Sequence, residues 1–162
     1  MKGRDGMRPQ ATPPGPRAGT QTLEMVVLFP AAVLAAATML QLGMSVSVQQ
    51  AVSAAASRGA REAAHGAPAD DVAQLVEALL APHGLSTASG VCVQLADQHG
   101  LVDTFGRKEL AAHRKPPPLA PGELSVTVLV DPQATRVPDL LGRYRLRPIR
   151  DSYEATSVSV QP

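Results

Sequence analysis

The sequence predicts an α+β protein: a long N-terminal helix whose first half is membrane-spanning, followed by a small domain with one helix and an antiparallel sheet. Three observations carry this. Met25 to Met44 is a run of twenty residues without a charged side chain, in which Thr38 and Gln41 are the only distinctly polar groups. Alanine-rich, proline-free sequence then continues to Gly66 and Pro68, so the helix is expected to outlast the apolar run. Beyond it, "ELSVTVLVD" (Glu123 to Asp131) and "YEATSVSVQ" (Tyr153 to Gln161) alternate as half-buried antiparallel strands do.

Residues 1–19 ("RPQATPPGPRAG" and what precedes it) are rich in Pro, Gly and Arg and have no apolar period, which predicts a disordered basic leader. Residues 20–66 form the long helix, with the transmembrane segment at 25–44; twenty helical residues span roughly 30 Å, the thickness of a bilayer's hydrocarbon core. "SVSV" at Ser45 to Val48 has strand-like alternation, but its helix-favouring flanks predict helix. After Pro68, "ADDVAQLVEALLAPHG" reads as a second helix, with Asp70 or Asp71 as its cap and Val72, Leu75, Val76, Leu79 and Leu80 as its apolar face; Pro82 and Gly84 end it. "GVCVQLAD" (Gly90 to Asp97) gives a first strand, and "RKPPPLAPG" an extended proline-bearing loop before the next. Residues 67–162 are thus expected to form the extracytoplasmic α+β domain.

Charge is unevenly spread along the 162 residues. Lys2, Arg4, Arg8 and Arg17 face only Asp5 in the leader, whereas residues 67–162 hold nine bases and eleven acids. The basic leader predicts a cytoplasmic N-terminus and an extracytoplasmic body in a single-pass protein of a bacterial cytoplasmic membrane. The slightly acidic body argues against nucleic acid as a partner, since phosphate binding needs concentrated positive charge. Phe29, Phe105, Tyr144 and Tyr153 are the only aromatics, so the core must come from Leu, Val and Ala; the single Cys92 precludes an internal disulfide.

Glu24 stands at the edge of the apolar run, five residues after Gly19. A cleaved signal peptide, with Ala54-Ala55-Ala56 as its nominal cleavage motif, has a shorter apolar region than this one. A plain signal anchor fits the flanking charges, but neither reading accounts for Glu24. Taken alone, Glu24 also fits an acid complementing the helix dipole.

The motif "G-T-Q-T-L-E" resembles the processing site of type IV prepilin-like proteins: a basic leader, a Gly, a Glu at the fifth position of the mature chain, and an apolar helix. More specifically, "LEMVVLFPAAVL" resembles the TadE-like minor pseudopilins of tight-adherence (Flp-type) pilus assembly, in which a proline follows the Glu by six residues, as Pro30 follows Glu24. "QQAVSAAASRGAREAA" resembles the family's downstream helix, with "A-S-R-G-A-R" at Ala56 to Arg61. Met25 replaces the usual aromatic. The resemblance implies cleavage by a prepilin peptidase between Gly19 and Thr20, and assembly roles for Glu24 and Pro30. It also implies as partners the peptidase, other pilins or pseudopilins, the membrane platform of the pilus machine and the lipid bilayer. The alternative is a single-pass membrane-anchored extracytoplasmic binding domain without leader processing. For Pro30 two readings stay open, a tolerated kink or a bend that fits the helix into a subunit bundle.

The recurrence of Gly43, Ser47, Ala51, Ala55, Gly59 and Ala63 every fourth residue permits close helix contact, although so small-residue-rich a stretch produces such a stripe readily. Nothing points to catalysis or to a cofactor. "GLVDTFGRK" (Gly100 to Lys108) departs from a phosphate loop in spacing and lacks the following Ser or Thr. His65, His83, His99 and His113 are too dispersed for a zinc site. Cys92 reads as a small buried apolar residue, and Arg143, Arg145 and Arg147 as a solvated or edge-protecting face of a strand. The expected protein is structural, not an enzyme.

Overall fold

The computed structural model describes residues 18–112, 114–135 and 152–161, with side chains from Glu24 onward except at Val102. The greater part of the leader, His113 and the Arg143, Arg145 and Arg147 series lie outside these residues. Helix α1 (Ala18–Ala64) runs through Pro30 without a break and is followed by α2 (Ala69–Leu80) and strands β1 (Val91–Asp97), β2 (Gly100–Gly106), β3 (Glu123–Val130) and β4 (Tyr153–Val160). This is the α+β arrangement that the sequence predicts. The chain falls into two compact units, one ending at Ala36 and one starting at Ala37.

In the first unit every residue from Glu24 to Ala36 is exposed. Met25 and Phe29, one turn apart, and Val27 on the opposite side of the helix are each 69% exposed. A helix apolar on all sides needs lipid or other helices around it.

The second unit is built on an antiparallel sheet of order β2-β1-β3-β4. Strand pleating divides its side chains into two sets. Val91, Val93 and Leu95 of β1, Val126, Val128 and Val130 of β3 and Tyr153 of β4 share one face. They form a single buried cluster with Val48, Val52, Ala55, Ala56, Ala60 and Ala63 of α1 and Val72, Val76 and Leu80 of α2. With so few aromatics, the cluster fills by close approach of small residues. At Gly59 an added Cβ would lie 3.0 Å from Val76 Cγ2 of α2 and 3.4 Å from Val126 Cγ1 of β3, so α1 meets α2 and the sheet where it has no side chain. The latter half of the small-residue stripe thus faces the chain's own body.

On the opposite face Cys92 and Leu129 are buried with Ala111 and Leu110 from the segment after β2. Thr127 Oγ1 and Thr156 Oγ1 share a hydrogen bond of 2.9 Å across β3 and β4. An ion pair joins Arg114 to Glu154.

Two expectations need correction. Neither Asp70 nor Asp71 caps α2: both lie in its first turn, and Pro68 occupies the cap position with no side-chain bond. They act instead as acids beside the positive end of the helix. The buried residues of α2 are Val72, Ala73, Val76 and Leu80, with Leu75 and Leu79 half-buried at the margins. The second correction is β2. Gly100 to Gly106 is a strand that forms a hairpin with β1, its turn held by Asp97 Oδ1 accepting from the His99 amide at 2.7 Å. Gly106 closes it with φ +83°, where a Cβ would run into the carbonyl of Val91.

Candidate functional site

The residues singled out for processing and assembly all lie at the start of α1. Gly19 and Thr20 are in its first turn, where amide groups have no intrahelical acceptors and unwinding costs least. Thr20 and Glu24 are one turn apart, the spacing that puts two residues on the same side of a helix. Glu24 is exposed, with nothing but apolar side chains for the next several residues. Pro30 sits inside the helix, six residues further on, and cannot supply the amide that would bond the carbonyl of Val26. Relative to Glu24 it is rotated by about 240° and displaced by about 9 Å. The carboxylate and the proline therefore address different neighbours.

Among the described residues, this is the one helix long and apolar enough to cross a membrane. Such a helix near the N-terminus suggests single-pass anchoring. Residues 19–61 match the family described as TadE-like protein. This segment is similar to that family. The matched stretch begins at Gly19 and takes in Glu24, Pro30 and the "A-S-R-G-A-R" sequence ending at Arg61. It points to a protein associated with the tight-adherence pilus, in a family of structural pilus components. No curated protein and no solved structure matches the chain.

The TadE-like segment does two things at once, because its latter part belongs to the core of the second unit. Ala55 and Ala56 are 0% and 1% exposed. A cut at Ala54-Ala55-Ala56 would remove Val48 and Val52 from the buried cluster, which is a physical argument against the signal-peptide reading. Gln41 is a feature that sequence reasoning did not single out beyond its polarity. It is 6% exposed and, among the described residues, its Oε1 has no hydrogen-bond partner. Its only signal in the sequence is a lone carboxamide inside an apolar run.

Elsewhere the described residues hold no group of three or more His, Cys, Asp or Glu side chains placed to bind a metal. His65 and His99 are exposed and His83 is half-buried. Cys92 lies buried on β1. Burial pushes its thiol pKa up; the negative charge of Glu109 adds to this and the positive charge of Lys108 opposes it. The thiolate is the reactive form. A maleimide at neutral pH is therefore expected to leave Cys92 unlabelled in the folded chain and to label it after urea unfolding. Rapid labelling without denaturant would show that the sheet face bearing Cys92 is open.

Proposed function

We propose that this chain is a minor pseudopilin of a tight-adherence-type pilus or a related secretion apparatus, matured by a prepilin peptidase that cuts after Gly19. The observation that supports it most is the TadE-like match, which begins at Gly19 and continues through Glu24 into a helix exposed and apolar on every side. Cleavage there frees an ammonium group on Thr20. A carboxylate at the edge of lipid is costly unless paired. The Glu24 carboxylate of one subunit meeting the Thr20 ammonium of a neighbour offsets that cost only in the assembled state, so the pair favours assembly. The exposed apolar surface of α1 then packs among other pilin helices, and Pro30 shapes its path. The leader stays in the cytoplasm, where its basic residues hold it, and the α+β body lies outside the membrane. In this reading the chain is a structural subunit and the peptidase's substrate. It carries no active site of its own, and its partners are pilins, pseudopilins and the membrane platform.

The test is the intact mass and N-terminal sequence of the chain recovered from the membranes of its native host. A mature chain starting at Thr20 is the expected result. A membrane-bound chain that still starts at Met1 would instead make the protein an anchored extracytoplasmic binding domain without leader processing.

A further inference from the structure

The connection between β2 and β3 contains "KPPPLAP", Lys115 to Pro121, a stretch outside the TadE-like match. Its composition dictates its backbone. Proline fixes φ near −65° at Pro116, Pro117, Pro118 and Pro121. The residue before a proline is pushed to extended ψ, here Lys115, Pro116, Pro117 and Ala120. Leu119 alone is held by neither rule, so the stretch is a polyproline II segment. Such a segment turns once every three residues and rises about 3.1 Å per residue. Lys115, Pro118 and Pro121 therefore stand in line on one ridge.

The fold turns that ridge outward and fixes the segment at both ends. Lys115, Pro118 and Pro121 are all exposed, whereas Leu119, on another ridge, is half-buried. At the near end Arg114 N donates to Ala111 O at 2.9 Å and the Arg114 guanidinium pairs with Glu154. At the far end Ala120 N donates to Glu123 Oε2 at 2.8 Å, and Glu123 N donates to Ala120 O at 3.0 Å. Between these ties, among the described residues, nothing hydrogen-bonds the backbone of residues 115–119, and Lys115 has no ion pair. Stiffening a loop asks for prolines in no particular register. Here two exposed prolines follow an unpaired cation at steps of three.

We propose that Lys115, Pro118 and Pro121 form a docking ridge for another protein, one with an aromatic-lined groove and a carboxylate at the end of the groove that receives Lys115. Flat aromatic rings form slots into which proline rings fit, and indole and phenol groups donate to the free carbonyls of an extended proline segment. A segment already held in the bound conformation loses little entropy on docking. A second copy of this chain does not supply the groove. The chain has no tryptophan, Tyr153 is buried in its core, and Phe29 lies in the membrane-length run. The inference concerns the body alone and does not depend on leader processing.

An SH3 domain that takes ligands of the form cation-x-x-Pro-x-x-Pro is the probe, titrated with the full-length chain in detergent micelles. Because the chain has no tryptophan, the fluorescence of the tryptophan in the probe's groove reports the contact directly. The expected result is a saturable change. Pro118→Ala, Pro121→Ala and Lys115→Glu should each weaken it about tenfold or more. Pro116→Ala, exposed but off the ridge, should stay within about twofold. Maleimide labelling of Cys92, which is buried with Leu110 and Ala111 of the same connection, should be equally slow in all four variants and so show the connection still in place. In the native host, a benzophenone side chain at Ala120, exposed beside the ridge, should link to a different protein through a peptide bearing Trp or Tyr. Pro118→Ala combined with Pro121→Ala should remove that link. No saturable change with the probe, or an equal loss with Pro116→Ala, would overturn the proposal. So would a host link that is absent, joins two copies of this chain, lands on a peptide without an aromatic residue, or survives loss of both prolines.

Discussion

Gly19→Leu is expected to leave the chain in the membrane with its leader attached, running about 2 kDa heavier than the mature form. Glycine at the residue before the cut leaves the backbone open to the peptidase. A leucine puts four carbons where the enzyme must approach, and the change is close to all-or-none. Glu24→Ala leaves that site intact, so the chain should be cut normally. What it loses is the carboxylate proposed to meet a neighbour's Thr20 ammonium, and opposite charges attract far more strongly at the edge of lipid than in water. The variant is expected to accumulate as a mature subunit that fails to crosslink to its partners or to support pili. The two phenotypes separate processing from assembly. Normal piliation with Glu24→Ala would reduce Glu24 to an acid at a helix start. A Gly19→Leu chain indistinguishable in size from the wild type would leave an uncleaved anchor as the account.

The largest stability effect is expected at Gly59, where α1, α2 and the sheet converge. A Cβ there meets Val76 Cγ2 at 3.0 Å and Val126 Cγ1 and Val72 Cγ1 at 3.4 Å each. Gly59→Ala sets two effects against each other. Alanine gains about 1 kcal/mol of helix propensity over glycine, and the contact with Val76 takes back a similar amount as that side chain shifts, so the variant should be near neutral. Gly59→Leu has no such balance. Its branched end must enter space already filled by Val72, Val76 and Val126, and overpacking of this kind costs about 3 kcal/mol. Against a total of roughly 5–15 kcal/mol for an ordinary domain, that is a large fraction. The rate of Cys92 labelling in increasing urea reports on the body alone, whatever the membrane helix does. The Leu variant should label at distinctly lower urea than the Ala variant, and coincident curves would show that the junction has slack.

Much of this fold was legible because its long elements carry unambiguous periods. α1, α2, β1, β3 and β4 follow from apolar spacing and from the Pro and Gly residues that bound them. β2 was not, because its charged Asp103 and flanking glycines weaken the alternation. Its best signal was the turn sequence Asp97-Gln98-His99-Gly100 between two apolar runs. The limit of local reading is plainest in "SVSVQ", which occurs at Ser45 to Gln49 and again at Ser157 to Gln161. The first copy is helix and the second is strand. Alanine-rich flanks continue the helix through the first, whereas pairing with β3 holds the second extended. For the candidate site, the spacing of Gly19, Glu24 and Pro30 was readable, since it is a property of the chain itself. The burial of Gln41 was not, because periodicity does not say which side of a uniformly apolar helix will be covered.

The inner face of α1 carries a consequence for how such a protein is inherited and engineered. Val48, Val52, Ala55, Ala56, Ala60 and Ala63 are interior residues of the body, yet they sit on the same unbroken helix as the membrane-length run. The division between the two compact units therefore falls inside α1, between Ala36 and Ala37, and not at the end of the helix. A recombination event or gene fusion that cuts at Gly66, the first glycine after the helix, would strip one wall from the hydrophobic interior and leave the valines of β1 and β3 facing water. A functional swap must carry the helix from Val48 onward together with the sheet it covers. Substitutions on α1 between Val48 and Ala63 are then constrained from inside the chain as well as by any neighbouring subunit, so this stretch can drift only in step with the sheet beneath it.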